Sequence, residues 1–168
     1  PFMECRHSVI SMYHAVNGSV KINGKAIEFI DGAGYIESDR GTSFPNKYLW
    51  TQCSRQGISP CSLMLSVADI PFLGGSFNGI IGIVLWRGRE YRIATYLGAK
   101  ATTIDKGRVV VRQGKYALTA ELLDRRELSL RAPVCGSMTR LIRENPSCRA
   151  RYCFSYCDQI LLDFISDR

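Results

Sequence analysis

Two carboxylates that stand two residues apart, Glu37 and Asp39, are the side chains of this sequence best suited to acid–base chemistry. They lie in GYIESDR, residues 34–40, which is predicted to form a β-strand. Because side chains alternate along a strand, Tyr35, Glu37 and Asp39 share one face. A carboxyl group in an aromatic-walled cavity has its charged form poorly solvated, so it can donate a proton near neutral pH. The chemistry therefore depends on whether this face lines a cavity.

A second predicted strand, KYLWTQC at residues 47–53, follows the turn GTSFPN at residues 41–46. Tyr48, Trp50 and Gln52 share one face of it. If the two strands pair across the turn, one sheet face carries the acids together with these side chains. Two interpretations stay open: the face lines a ligand cavity, or it is an ordinary exposed surface. The aromatic residues favour the cavity, because exposed strands more often carry lysine, threonine or glutamate there.

The two histidines, His7 and His14, lie seven residues apart in one predicted strand. An odd spacing places them on opposite faces of a regular strand, so they cannot hold one metal ion together. The sequence predicts neither a metal site nor an organic cofactor.

Turn signals recur along the chain and separate short β-prone runs. They are Asn17-Gly18, Asn23-Gly24, Asp31-Gly32, Arg87-Gly88, Lys106-Gly107 and Gln113-Gly114. Such spacing is typical of an antiparallel sandwich or barrel, and Asn-Gly is the strongest short hairpin signal. We expect an all-β chain with at most one or two short helices.

Composition narrows the classes of function. The 168 residues, 46% hydrophobic and 22% charged, suit one globular domain without a membrane-spanning apolar run. The net charge of +7 comes from scattered basic residues and not from a dense run, so nucleic-acid binding is not expected. Seven cysteines without a C-x-x-C pair predict reduced thiols used as small apolar residues, and with them a cytoplasmic location.

The N-terminal part of the sequence, which includes the two predicted strands around Glu37 and Trp50, resembles a known protein family. PFMECRHSVISMYHAVNGSVKINGKAIEF followed by GYIESDRGTSFPNKYLWTQC resembles the bacterial tocopherol cyclase-like family, whose hallmark is G-Y-I-E-K-D-W-G-x-S-F-P and then an aromatic-rich W-x-Q strand. The matching positions are Gly34, Tyr35, Ile36, Glu37, Asp39, Gly41, Ser43, Phe44, Pro45, Trp50 and Gln52. The resemblance is specific over residues 1–53 and looser to about residue 165. Arg40 and Ser38 depart from the hallmark, and by strand parity both face away from the acids.

The resemblance implies a lipocalin-like, or calycin, architecture: an antiparallel β-barrel or a strongly curved sheet. Residues 1–168 would then be a single barrel-type domain, the C-terminal half of a longer two-half protein. A sheet edge that the other half would cover could serve for homo-oligomer formation.

The resemblance also implies a function. The partner would be a hydrophobic small molecule of the prenylquinol type, and the reaction the acid-promoted cyclisation of a prenylated quinol to a chromanol. Glu37 or Asp39 would donate the proton and Tyr35 would orient it. The ligand-binding residues would be Trp50, Tyr48, Gln52 and Phe44. The alternative is a carrier without catalysis, and for both we expect a cytoplasmic protein that associates with membrane surfaces.

Overall fold

The computed structural model describes residues 5–56, 60–72, 74–105, 107–124 and 126–166. Over these residues the chain forms thirteen strands in antiparallel pairs and a single 3₁₀ turn at Thr95–Leu97. The predicted all-β class with at most one or two short helices is confirmed.

A four-stranded sheet holds its strands in chain order. The strands are β3 (Tyr48–Arg55), β4 (Cys61–Phe72), β5 (Gly75–Trp86) and β6 (Arg89–Ala94). The turn between β5 and β6 is formed by Arg87 and Gly88, with φ of 50° and 73°. Two consecutive positive φ angles are the geometry of the commonest two-residue hairpin loop, as this predicted turn requires.

A five-stranded sheet has the order β13–β12–β9–β8–β7. Its strands are β7 (Lys100–Asp105), β8 (Arg108–Gln113), β9 (Tyr116–Leu122), β12 (Ala150–Tyr156) and β13 (Gln159–Ile165). Between β9 and β12 the chain makes a separate hairpin of β10 (Leu128–Val134) and β11 (Ser137–Glu144).

The two larger sheets pack face to face around one apolar core. Leu63 and Leu65, alternate residues of β4, are fully buried, and so are Val109 and Val111 of β8. Met64, which lies between the two leucines and points to the opposite face, is fully buried as well, so β4 is covered on both faces. None of the sheets formed by the described residues closes into a barrel. Of the two predicted forms, barrel or curved sheet, the chain adopts open sheets.

A long hairpin, which we call the arm, precedes these sheets. It consists of β1 (Cys5–Ile22) and β2 (Lys25–Gly41), paired from Cys5–Gly41 to Ile22–Lys25. Asn23 and Gly24 form its turn with φ of 50° and 80°. This Asn-Gly hairpin prediction is confirmed.

Two other predicted turns, Asn17-Gly18 and Asp31-Gly32, are wrong, because both dipeptides lie inside the strands of the arm. They face each other at a register shift between Val16 and Gly18. The Asn17 Oδ1 atom accepts a hydrogen bond from the Asp31 backbone N–H at 2.8 Å. One class of β-bulge places a residue at positive φ, as these turns do, and both Asp31 (φ 50°) and Gly18 (φ 137°) have positive φ.

The pairing predicted between the acid-bearing strand and the strand of Tyr48 is also wrong. β2 pairs with β1, and β3 pairs with β4. The turn at residues 23–24 supplies β2 with an adjacent partner along its whole length, so β3 finds its partner on the other side.

Residues 42–47 lead from the arm to β3 and are held by the β10–β11 hairpin. The Arg140 guanidinium donates from Nη1 to the Pro45 carbonyl at 2.9 Å and from Nη2 to the Asn46 carbonyl at 2.6 Å. Ser43 Oγ accepts the Cys135 backbone N–H at 2.9 Å. These contacts fix where β3 begins relative to the acid-bearing strand.

The cysteine thiols differ in burial, and this predicts an order of reactivity. Cys135 and Cys157 are exposed, whereas Cys61 is 2% exposed and its burial raises the pKa of its thiol. Only the thiolate reacts with alkylating reagents. We expect Cys135 and Cys157 to be alkylated by iodoacetamide at least about tenfold faster than Cys61, as measured by peptide mapping after short exposures. Equal rates in the native protein would contradict the core packing around β4.

Candidate functional site

The acidic residues of β2 form a cluster with one histidine of β1. Tyr35, Glu37 and Asp39 lie on the predicted common face, and His7 lies directly opposite Asp39 in the register of the arm. His7 Nδ1 is 2.7 Å from Asp39 Oδ1, and His7 Nε2 is 3.4 Å from Glu37 Oε2. One imidazole therefore connects the two carboxylates. We call His7, Glu37 and Asp39 the acid cluster.

Glu37 Oε2 is held by two further donors. The Tyr35 hydroxyl donates to it at 2.5 Å, and the Trp50 Nε1–H donates at 3.1 Å. The predicted orienting role of Tyr35 therefore has a matching contact. Burial raises the pKa of the Tyr35 phenol, and its hydrogen bond to Glu37 and the charge of Asp39 raise it further. Tyr35 consequently remains protonated and acts as a donor throughout the physiological pH range.

The acid cluster is partly shielded from solvent. The side chain of His7 is 14% exposed, that of Glu37 23% and that of Asp39 38%. The His7 Nε2 atom is buried and has no hydrogen-bond partner. With Nδ1 facing Asp39, Nε2 is free to take up or release a proton toward Glu37. Because each ring nitrogen faces a different carboxylate, the arrangement suits transfer of a proton between the two carboxylates.

The same geometry bears on metal binding. His7 turns its two ring nitrogens toward different carboxylates, so the three side chains do not converge on one point. Among the residues that the structure describes, no group of three or more histidine, cysteine, aspartate or glutamate side chains is arranged to hold a metal ion.

A cleft of about 1000 Å³ opens beside β3, between the two larger sheets and the β10–β11 hairpin. Residues 48–54 of β3 form one wall, so the predicted ligand residues Tyr48, Trp50 and Gln52 all line it. Phe44 does not, but its ring meets the ring of Tyr48 edge-on with centroids 6.0 Å apart. Three of the four predicted ligand residues are thus brought together at one cavity.

Tyr48 and Gln52 do not contact the acids that the predicted pairing would have placed opposite them. The Tyr48 hydroxyl donates to Glu144 Oε1 at 3.0 Å, across the cleft on β11. Gln52 Nε2 donates to Ser54 Oγ at 2.9 Å along its own strand. Burial raises the pKa of the Tyr48 phenol, and its hydrogen bond to Glu144 adds to the effect.

The lining of the cleft is apolar at depth and charged at the rim. Leu49, Val109 and Ala120 contribute apolar surface, and the Tyr152 hydroxyl lies 2.6 Å from Thr51 Oγ1, joining the two sheets. Burial raises the pKa of Tyr152 to about 12. At the rim lies Arg143, which is paired with Glu127 at 3.3 Å. Such a lining suits an amphiphilic molecule with one apolar and one polar end.

Trp50 connects the cleft to the acid cluster. Trp50 is one of the residues that line the cleft, and its Nε1–H is bonded to Glu37. A molecule in the cleft can therefore lie against the indole that holds the acid. This contact is the basis for treating the cluster and the cleft as one site.

His7 is the member of this site that the sequence did not reveal. Regular pairing from the Ile22–Lys25 end of the arm would place His7 opposite Arg40, on the face away from the acids. Register shifts along the arm move the pairing by one residue and place His7 opposite Asp39. The shift at residues 17–18 moves the pairing in the opposite direction. Two further shifts within residues 9–14 place His7 opposite Asp39, and no Gly, Pro, Asn or Asp residue there signals them.

The fold and the site together define an all-β protein of two packed antiparallel sheets with a cleft at one edge and a histidine-linked pair of carboxylates beside it. Comparisons found no matching family model, no matching curated protein and no matching solved structure. In the part of the chain that the structure describes, no helix has the length and apolarity to cross a bilayer.

Proposed function

We propose that this chain is a tocopherol cyclase-like protein that binds a prenyl-type amphiphile in the cleft and catalyses cyclisation of a prenylated quinol to a chromanol. The observation that carries the proposal is the double contact of Trp50, with the cleft and with Glu37. The cleft volume of about 1000 Å³ is large enough for a prenylated quinol.

The reaction is redox-neutral and its protons balance. A carboxyl group of the acid cluster gives a proton to the less substituted carbon of a trisubstituted alkene, and the other alkene carbon becomes a tertiary cation. A lone pair of the quinol oxygen then forms the new C–O bond. The oxygen loses its proton to the carboxylate, which restores the acid. No metal or organic cofactor takes part in these steps.

Each of these steps can be assigned to side chains of the site. Glu37 is the proton donor that the contact with Trp50 favours, and the proton that the quinol oxygen releases would return to Glu37 either directly or through Asp39 and His7. The indole ring of Trp50 would stabilise the developing cation by ~1–2 kcal/mol once water is excluded. Tyr35 fixes the position of the Glu37 carboxyl group through its hydrogen bond.

A carrier without catalysis is the second candidate, and one observation favours it. Glu37 Oε2 already accepts hydrogen bonds from Tyr35 and Trp50, both of which belong to the protein. In a carrier, these bonds would serve to attach the arm to β3, and the cleft alone would be functional.

We also propose that the protein works in the cytoplasm at membrane surfaces, where prenylated quinols reside. The net charge of +7 supports this placement, because anionic leaflets attract basic proteins.

Ligand binding in the cleft predicts a fluorescence response from Trp50. On titration with a farnesyl-substituted methylhydroquinone, we expect emission to change in the wild-type protein because Trp50 is one of the residues that line the cleft. The response should vanish in Trp50→Phe and persist in Trp86→Phe, since Trp86 packs against the apolar core. Equilibrium dialysis of the same ligand measures the affinity of each variant.

Two outcomes would count against the proposal. Absence of binding by dialysis would remove the cleft as a prenylquinol site. A response that disappears only in Trp86→Phe would move the ligand away from β3.

A further inference from the structure

The end of the arm, residues 18–29, has one apolar and one polar face. The register pairs Val20 with Ile27 and Gly18 with Phe29, so the side chains of Val20, Ile22, Ile27 and Phe29 lie on the same face. Ser19, Lys21, Ala26 and Glu28 lie on the other. We call residues 18–29 the arm tip.

The apolar face of the arm tip is open to solvent. Val20 is 41% exposed, Ile22 53%, Ile27 39% and Phe29 40%. An isolated two-stranded hairpin is only marginally stable in water. Four large apolar side chains on one of its faces form an exposed patch that is unfavourable in water unless another surface covers it.

A second copy of this chain is a poor fit for that face. A fully buried aromatic side chain buries about 150–250 Å² of surface. Four side chains that are about half exposed, of which only Phe29 is aromatic, therefore present on the order of 300 Å² of apolar surface. A stable protein interface needs about 800 Å² from each partner. The apolar face of the arm tip alone is therefore too small to hold a dimer together.

The charges point to an anionic surface. Lys25 lies opposite Ile22 and shares the apolar face, whereas Lys21 lies on the polar face with Glu28, so the two lysines leave the arm tip with a net positive charge. Both side chains are exposed, and the whole chain carries +7. Long lysine side chains can lie along an apolar surface while their ammonium groups reach lipid phosphates.

We infer that the arm tip is a membrane-binding surface whose partner is an anionic phospholipid bilayer. The apolar face lies in the headgroup region with Phe29 and Ile22 toward the acyl chains. The outer backbone edges of a two-stranded hairpin keep water or headgroups as hydrogen-bond partners, so the arm tip lies at the interface and does not span the hydrocarbon. The inference does not depend on the identity of the ligand in the cleft.

Vesicle co-sedimentation of the full chain tests this inference. We expect binding to vesicles of phosphatidylcholine with phosphatidylserine, weaker binding to phosphatidylcholine alone, and loss of binding with rising salt. The double variant Ile22→Ser, Phe29→Ser should bind at least about tenfold more weakly. Lys21→Gln and Lys25→Gln should each weaken binding roughly fivefold on anionic vesicles.

Ile104→Ser is the matched control, because Ile104 is 52% exposed, as Ile22 is, but lies on β7. It should bind vesicles as the wild-type protein does, and circular dichroism should show all variants folded. Binding unchanged in the double variant would overturn the inference, as would a wild-type chain that ignores anionic vesicles. A sedimentation-velocity dimer abolished by the double variant would assign the face to a second copy instead. A chain that binds the prenylquinol but no vesicles would keep the proposed function and refute this inference.

Discussion

Replacing Glu37 with glutamine is expected to lower chromanol formation at least about 100-fold while changing the Kd for the prenylated quinol by less than about threefold. The amide oxygen can still accept the hydrogen bonds that Tyr35 and Trp50 donate to Glu37 Oε2, so the shape of the site is kept. The amide cannot release a proton to an alkene. An interaction needed only in the transition state affects turnover and leaves ligand affinity unchanged.

The measurement is chromatographic detection of the chromanol, alongside equilibrium dialysis of the same quinol. Asp105→Asn is the control, because Asp105 is an exposed carboxylate at the end of β7, away from the acid cluster. Turnover that survives in Glu37→Gln would exclude Glu37 as the acid. Tight binding without turnover in the wild-type protein would select the carrier.

The parts of the site that lie within one strand could be predicted from the sequence. Strand parity alone places Tyr35, Glu37 and Asp39 on one face, and the contact between Tyr35 and Glu37 follows from that placement. Trp50 was predicted to lie beside the acids and does donate to Glu37. That prediction reached the right contact through a wrong strand pairing.

The parts that depend on register across strands could not be predicted. Whether His7 faces Asp39 or Arg40 depends on a shift of one residue, and a shift of one residue exchanges the two faces of a strand. Asn-Gly and Asp-Gly dipeptides suit both hairpin turns and one class of bulge, because each places a residue at positive φ. The turn at residues 23–24 and the bulge at residues 17–18 look alike in sequence, and only long-range packing separates them.

The wall of the cleft that β11 forms could not be predicted from the sequence either, for a related reason. Glu144 meets Tyr48 only because the β10–β11 hairpin holds residues 42–47 in place. Those bonds join the guanidinium of Arg140 to backbone carbonyls almost a hundred residues away in the chain. Local periodicity carries no information about such contacts.

Replacing Phe154 with alanine is expected to be the most destabilising single change in this protein. Phe154 is fully buried and stacks on Tyr116, with ring centroids 5.6 Å apart. Its ring also meets the ring of Tyr91 edge-on at 5.2 Å. Because Tyr91 lies on β6 and Phe154 on β12, this contact joins the two larger sheets.

The loss of buried area and the cavity left behind should lower the free energy of unfolding by about 3–5 kcal/mol, a large part of the 5–15 kcal/mol typical of a domain. Urea titration followed by circular dichroism measures it, and Tm should fall by roughly 2–4 °C for each kcal/mol. Phe154→Leu keeps most of the volume and should lose less. Ile104→Ala, at a half-exposed position on β7, should lose less than about 1 kcal/mol. If Phe154→Ala unfolds at the same urea concentration as Ile104→Ala, the two sheets do not share this aromatic contact, and the cleft between them loses its support.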